Sequence, residues 1–181
     1  SVEAVKRFKN DPRYKILEGA SDWMLKLIFN TKKPPLNNPQ VRRAIAYAID
    51  RKELASRIKH NYVIPGNPGV LPWHHPWYAP GVESYNFSLE HAYQLLNQAG
   101  FSEIDEKGFR RDAVGKRLSL LLVFAPEYSR EAEFIRSSLE KVGIQIKFQT
   151  MDLKTIISLL NGDWSEFDLV INGHGGVGGD P

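Results

Sequence analysis

The chain has 181 residues, 42% hydrophobic and 25% charged, which suits one globular domain with a core of ordinary size. Its 24 basic and 21 acidic residues give a net charge of +3, and the basic pairs Arg42-Arg43, Arg51-Lys52 and Arg110-Arg111 are interspersed with acids, which argues against nucleic-acid binding. The lack of cysteine excludes disulfides, thiolate metal sites and a cysteine nucleophile, and no run approaches the roughly 18 apolar residues of a membrane-spanning helix.

The sequence starts at Ser1 and shows no basic-then-apolar leader pattern. Two short extended runs come first, Tyr14 to Leu17 and Met24 to Phe29. In the second, Leu25, Leu27 and Phe29 alternate with Met24, Lys26 and Ile28, as a strand requires. A Pro/Asn-rich break over 30–38 leads to a helix. Asn38 caps it, Pro39 takes its first position, and Val41, Ala44, Ile45, Ala48 and Ile49 follow at helical spacing. Asp50 caps the next helix, with Glu53 completing a box-like start and Leu54, Ala55 and Ile58 on the buried face.

Residues 63–87 carry five prolines and three glycines, so no regular element persists there. With Trp73, Trp77 and Tyr78 inside it, this loop is expected to lie against the body. Ser88 opens a third helix with Leu89, Ala92, Leu96 and Ala99 on one face and Gly100 as its stop. Residues 102–117 are polar and read as a hairpin or surface loop.

The last third is the most regular. Leu118 to Phe124 is a nearly continuous apolar run, as in a strand buried on both faces. A helix from Ser129 ends at Gly143, a strand over 144–150 alternates, Asp152 caps another helix, and Phe167 to Ile171 reads as a further strand. Strand, helix, strand, helix, strand at these lengths implies right-handed crossovers and parallel pairing. The C-terminal ends of the three strands then share one sheet edge, where open α/β sheets bind ligands. Ala125 to Tyr128, Thr150 to Asp152 and Asn172 to Pro181 leave from that edge.

The segment Asn38-Pro39-Gln40-Val41-Arg42-Arg43-Ala44-Ile45-Ala46-Tyr47-Ala48-Ile49-Asp50-Arg51 resembles the most recognisable stretch of the solute-binding proteins that serve peptide and nickel ABC importers (extracellular solute-binding protein family 5). Further matches follow in that family's order: Phe29-Asn30-Thr31, then Ala92, Leu95-Leu96 and Ala99-Gly100-Phe101. Leu139 with Val142-Gly143-Ile144, Phe167-Asp168-Leu169 and Asp180-Pro181 complete the series. An ordered series over roughly residues 14–181 is far more specific than one motif. The resemblance implies an α/β, periplasmic-binding-protein-like lobe with a mixed, partly parallel sheet flanked by helices. Residues 1–181 would be a single domain, the C-terminal lobe inserted between halves of a missing N-terminal lobe. A chain of this family would not be expected to end at Pro181, so the sequence is expected to be a fragment.

The implied function is the substrate-binding component of an ABC importer, one wall of a cleft for peptides or a related small solute, with a nickel or metal-chelate binder of the same fold as the alternative. Its partners would be the ligand, the missing lobe and an ABC permease in the membrane, with no nucleic acid, no cofactor and a monomeric state. The location would be periplasmic or extracellular, with a lipoprotein anchor where there is no periplasm. Gly173, His174, Gly175, Gly176 and Val177 are the candidate ligand-binding residues, since small residues at a strand end let a ligand approach closely. In peptide-binding relatives an Asp at the position of Val177 pairs with the peptide amino group, and an aliphatic side chain cannot do this. His174 could donate a hydrogen bond or ligate a metal.

Other readings have less support. The glycine run lacks the Gly-Lys-Ser/Thr ending of a phosphate loop. A hydrolase using His174 and Asp180 lacks a Gly-x-Ser-x-Gly elbow or a His-Glu-x-x-His helix, so no catalytic or metal-ligating residue is assigned. Neighbouring His74 and His75 point in opposite directions on an extended chain and make a poor chelate.

Overall fold

A computed structural model describes residues 5, 7–17, 19, 23–69, 71–162 and 164–175. The alternating run becomes strand β1 (Met24–Phe29). The signature segment becomes helix α1 (Pro39–Ala48), whose cap Asn38 accepts from the Gln40 N–H with Pro39 in the first turn. In helix α2 (Arg51–Arg57), Asp50 accepts from the N–H groups of Lys52 and Glu53, while the Glu53 carboxylate pairs with Arg57 one turn on. Helix α3 (Leu89–Gln98) is capped by Ser88, and the hairpin read over 102–117 contains the short strands β2 (Glu103–Ile104) and β3 (Arg110–Arg111).

Strand β4 (Ser119–Phe124) leads through a 3₁₀ turn at Pro126–Tyr128 into α4 (Ser129–Glu140). Strand β5 (Gln145–Thr150), helix α5 (Leu153–Asn161) with its cap Asp152, and strand β6 (Leu169–His174) complete the crossover unit. The sheet order is β1-β6-β4-β5, with β4 parallel to both β5 and β6 and β1 antiparallel to β6. The sheet is therefore mixed and partly parallel, as expected.

From β4 the chain steps outward to β5, then back across β4 to β6. Right-handed crossovers in opposite directions put their helices on opposite faces, and the core divides accordingly. On one face Leu120, Leu122 and Phe124 pack with Ala44 and Ile45 of α1, Leu96 of α3 and Ile135 and Leu139 of α4. On the other, Val123 and Val170 pack with Ile156 of α5 and with Phe167. The period-two alternation of β4 supplies both cores from one strand. The order reverses at β4, so the C-terminal ends of β4 and β6 border the crevice where such sheets bind ligands.

The opposite edge of the sheet is tied shut. Asn30, 1% exposed, donates to the carbonyls of Phe167 (2.9 Å) and Trp164 and accepts from the Lys32 N–H. Asp168 accepts from the Leu121 N–H at 2.8 Å and pairs with Lys33 at 3.0 Å. Both residues belong to the matched segments, and both close the N-terminal ends of parallel strands. Arg42 of α1 likewise donates to the carbonyls of Leu36 and Asn37, and the Tyr47 ring packs on Tyr85 and His91.

Three local expectations are revised. Tyr14 to Leu17 forms no strand. Phe167 is not a strand residue but a fully buried residue two positions before the strand, because an apolar run reports burial rather than extension. Strand β6 starts later and runs further, carrying Asn172, Gly173 and His174 into the sheet. The proline-rich loop is only partly laid on the body. Pro72 and His75 are buried while Trp73 and Trp77 are exposed, Trp73 donating to the Pro65 carbonyl and packing on Tyr78.

Candidate functional site

At the C-terminal edge, β6 and β1 run antiparallel, with His174 opposite Met24, Gly173 opposite Leu25 and Asn172 opposite Lys26. Side chains directly opposite one another share a face and successive ones alternate. One face therefore carries Met24, Lys26, Asn172 and His174, continuing the row of Ile28 and Val170 over the smaller core. The other carries Trp23, Leu25 and Gly173. Of the five sequence-derived candidates, the structure brings Gly173 and His174 into the last two positions of β6 and sets Gly175 just beyond. Gly176 and Val177 lie outside the described residues, as do Asp180 and Pro181.

The two glycines have a definite occupant above them. A Cβ on Gly173 would lie 2.6 Å from Cε2 of Trp23, and one on Gly175 would lie 2.7 Å from its Cε3. The Trp23 indole thus spans the space that side chains at 173 and 175 would fill. It is itself 53% exposed. The glycine spacing permits this close approach and leaves an aromatic surface at the C-terminal edge of the sheet, where the sequence suggested open backbone.

His174 is half-buried on the opposite face, with its Nε2 3.2 Å from Lys26 Nζ. An ammonium group is a donor only, so Nε2 accepts and the ring proton sits on Nδ1. Burial lowers the imidazole pKa first and the Lys26 charge lowers it further; burial also lowers that of Lys26. The ordinary values of the two groups are roughly four units apart, so the pair holds its charge on Lys26 beside a neutral His174. Such a pair presents ammonium and imidazole N–H donors and has taken up the lone pair a metal would need.

The remaining edge groups are largely committed. Glu131 of α4, 2% exposed, pairs with Lys59 at the end of α2, and Asp152 accepts from the Thr155 N–H at 3.0 Å. Among the described residues no group of three or more His, Cys, Asp or Glu side chains is placed to hold a metal ion. His75 is buried, its Nδ1 accepting from the Trp77 N–H, while His74 is exposed, so the adjacent pair diverges. Two surface depressions, of about 350 and 370 Å³, lie around Asp105 and around Asp168 and Lys33, towards the opposite edge. Both are ringed by ion pairs that hold loops together. Neither lies at the strand-order reversal, where open α/β sheets bind ligands.

Sequence reasoning did not identify Trp23 or Lys26. Their signal was faint: an aromatic residue just before a strand, and one charged residue inside an apolar alternation.

The match to known proteins is consistent along the chain. The profile of the bacterial extracellular solute-binding proteins, family 5 (middle portion) matches residues 1–181. The dipeptide-binding protein of Escherichia coli (strain K12) is 27% identical over 178 residues, 98% of this chain and 31% of its own length. Heme-binding protein A of Haemophilus influenzae is 27% identical over 147 residues, 80% of this chain and 25% of its own. Among solved structures, NikZ from Campylobacter jejuni in complex with Ni(L-His) superposes with a TM-score of 0.77 at 25% identity, covering 97% of this chain and 34% of its own. NikA from Brucella suis in complex with Fe(III)-EDTA has the same fold, with a TM-score of 0.85 at 23% identity over 100% of this chain and 36% of its own. The chain spans between a quarter and about a third of the length of these relatives. With the family profile extending over every residue from 1 to 181, the chain belongs to the bacterial extracellular solute-binding proteins, family 5.

Proposed function

We propose that this chain is one lobe of a two-lobe solute-binding component of an ABC importer and forms one wall of its ligand cleft. The observation that carries this reading is the C-terminal edge of a family 5 sheet, with Gly173 and His174 ending β6 beside the strand-order reversal. Gly173, His174, Gly175, Gly176 and Val177 line the ligand, with Trp23 as an aromatic neighbour. The partners are an N-terminal lobe across the cleft and a membrane permease. The site binds and releases its ligand without a chemical step, as a monomer outside the cytoplasmic membrane, held by a lipid anchor in organisms lacking a periplasm.

The cargo is a peptide or a related small solute, a reading supported by the similarity to a dipeptide-binding protein. A metal chelate is the second reading, favoured by the likeness to a protein solved with Ni(L-His). Crystallising the intact protein with cell extract tests the site: ligand density over residues 172–177 is expected, and density elsewhere would sink the assignment. Calorimetry with free nickel, chelated nickel and a dipeptide panel separates the two cargoes.

A further inference from the structure

We propose that the ligand presents an anionic group, a carboxylate either free on a peptide or carried by a metal chelate, to Lys26 and His174. This rests on the reading of the β6 edge as the ligand wall and adds the charge of what binds there. Lys26 is a partly buried ammonium in the middle of an apolar strand, and among the described residues its side-chain partner is a neutral imidazole. No carboxylate within the described residues forms an ion pair with it. A desolvated charge without a counter-charge is unfavourable, and a bound anion would complete the group.

Among the described residues, the acids on the same edge do not serve that purpose. Strands are spaced about 4.8 Å apart, so Asp152, beyond β5, sits roughly 14 Å across the sheet from β1, and Glu127, beyond β4, about 10 Å. Glu131 is taken by Lys59 on the other face.

The geometry also gives the direction of the contact. Lys26 sits level with Asn172 but reaches the His174 ring at the end of the strand, so its ammonium faces the cleft rim. Two further ammonium N–H groups remain, and an oxygen-rich anion accepts them through charge-assisted hydrogen bonds. A peptide amino group at this position would meet like charge.

Calorimetry on the intact protein with four probes tests the inference: tri-alanine, its C-terminal amide, its N-acetyl derivative and nickel citrate. The expected result is binding of the N-acetyl form, or of nickel citrate, with the amide at least tenfold weaker than tri-alanine. A peptide-only response assigns the carboxylate to a peptide, and a citrate-only response to a chelate. Lys26→Met should weaken the preferred probe roughly 10- to 100-fold and Lys26→Arg should restore most of it. Melting curves verify that both variants fold. An amide that binds as well as the acid, or a Lys26→Met variant of unchanged affinity, overturns the inference and leaves the binding-protein reading standing. Failure of all four probes removes the peptide-or-chelate reading together with it.

Discussion

At the residue scale, the Lys26–His174 pair makes a prediction that needs no ligand. His174 titrates below the ordinary imidazole value of 6.5, because burial disfavours the charged ring and the neighbouring ammonium adds to that. A folded-state pKa depressed in this way contributes stability that is fully present above pH 6.5 and is lost as the pH falls through the folded value. Lys26→Met removes the second cause and keeps the first. The His174 titration should then move up towards 6.5 without reaching it. NMR of the histidine Cε1 protons reads this directly, with His174→Gln giving the assignment. An unchanged titration would mean that the two side chains do not meet in solution.

Asp105 provides the acidic counterpart at the far end of the sheet. Burial raises its pKa, but N–H donors from Phe109 and Lys107 and the Arg117 guanidinium outweigh that and bring it to about 2. Such a carboxylate stabilises the fold above its ordinary value of 3.8, and the contribution disappears as the pH falls towards 2. In Asp105→Asn, thermal melts between pH 4 and pH 2 should depend on pH less steeply than in the parent chain. An unchanged pH slope would remove Asp105 from the account.

At the scale of elements, one joint decides how the hairpin and α3 meet the sheet. Arg110, 2% exposed, donates to the carbonyls of Val142 (2.7 Å) and Phe101 (2.5 Å) and to the Asn97 side chain (2.6 Å). Its stem lies against Gly143, which ends α4 at φ +84° and whose added Cβ would meet Arg110 Cγ at 2.7 Å. Gly143→Ala combines a left-handed backbone with a steric conflict and should destabilise by roughly 2–4 kcal/mol. Gly115, at φ +81° with open space around it, incurs only the backbone term, about 1 kcal/mol in Gly115→Ala. Urea denaturation of the two variants measures the difference, and equal losses would show that Arg110 gives way freely.

The same scale shows what the sequence made legible. The caps at Asn38, Asp50, Ser88 and Asp152 all accept the N–H groups their positions implied, because a cap depends on residues two or three apart. The three crossover strands were readable for a similar reason, since alternation and connection length are local properties. The pairing of β1 with β6 was not. Lys26 and His174 are 148 positions apart, and only the register of an antiparallel pair brings them together. The glycines at 173 and 175 were read as places where a ligand approaches closely, and in the structure the group lying over them is Trp23. Nothing in local spacing could name it.

At the scale of the whole molecule, the two cores are not independent. Leu122 and Val123 are adjacent in β4, yet one faces the helices α1, α3 and α4 and the other faces α5. Neither core can be lost without exposing the back of a strand that the other requires, so the chain should unfold in one transition. Leu122→Ala removes a fully buried side chain from the larger core and should cost about 2–5 kcal/mol. At roughly 2–4 °C per kcal/mol for a chain of this size, the single melting transition should drop well below that of the parent. Val123→Ala, on the other face, should shift the same transition by a smaller amount, because less volume is removed. Calorimetry of residues 1–181 as an isolated chain checks this, and a separate early peak for Val123→Ala would show that the α5 layer melts alone. Cooperative folding does not imply ligand affinity, since the proposed site has only one wall in this chain. The isolated chain should therefore melt as one unit and bind the tri-alanine and nickel citrate probes weakly or undetectably, and micromolar binding would show that the β6 edge needs no second wall.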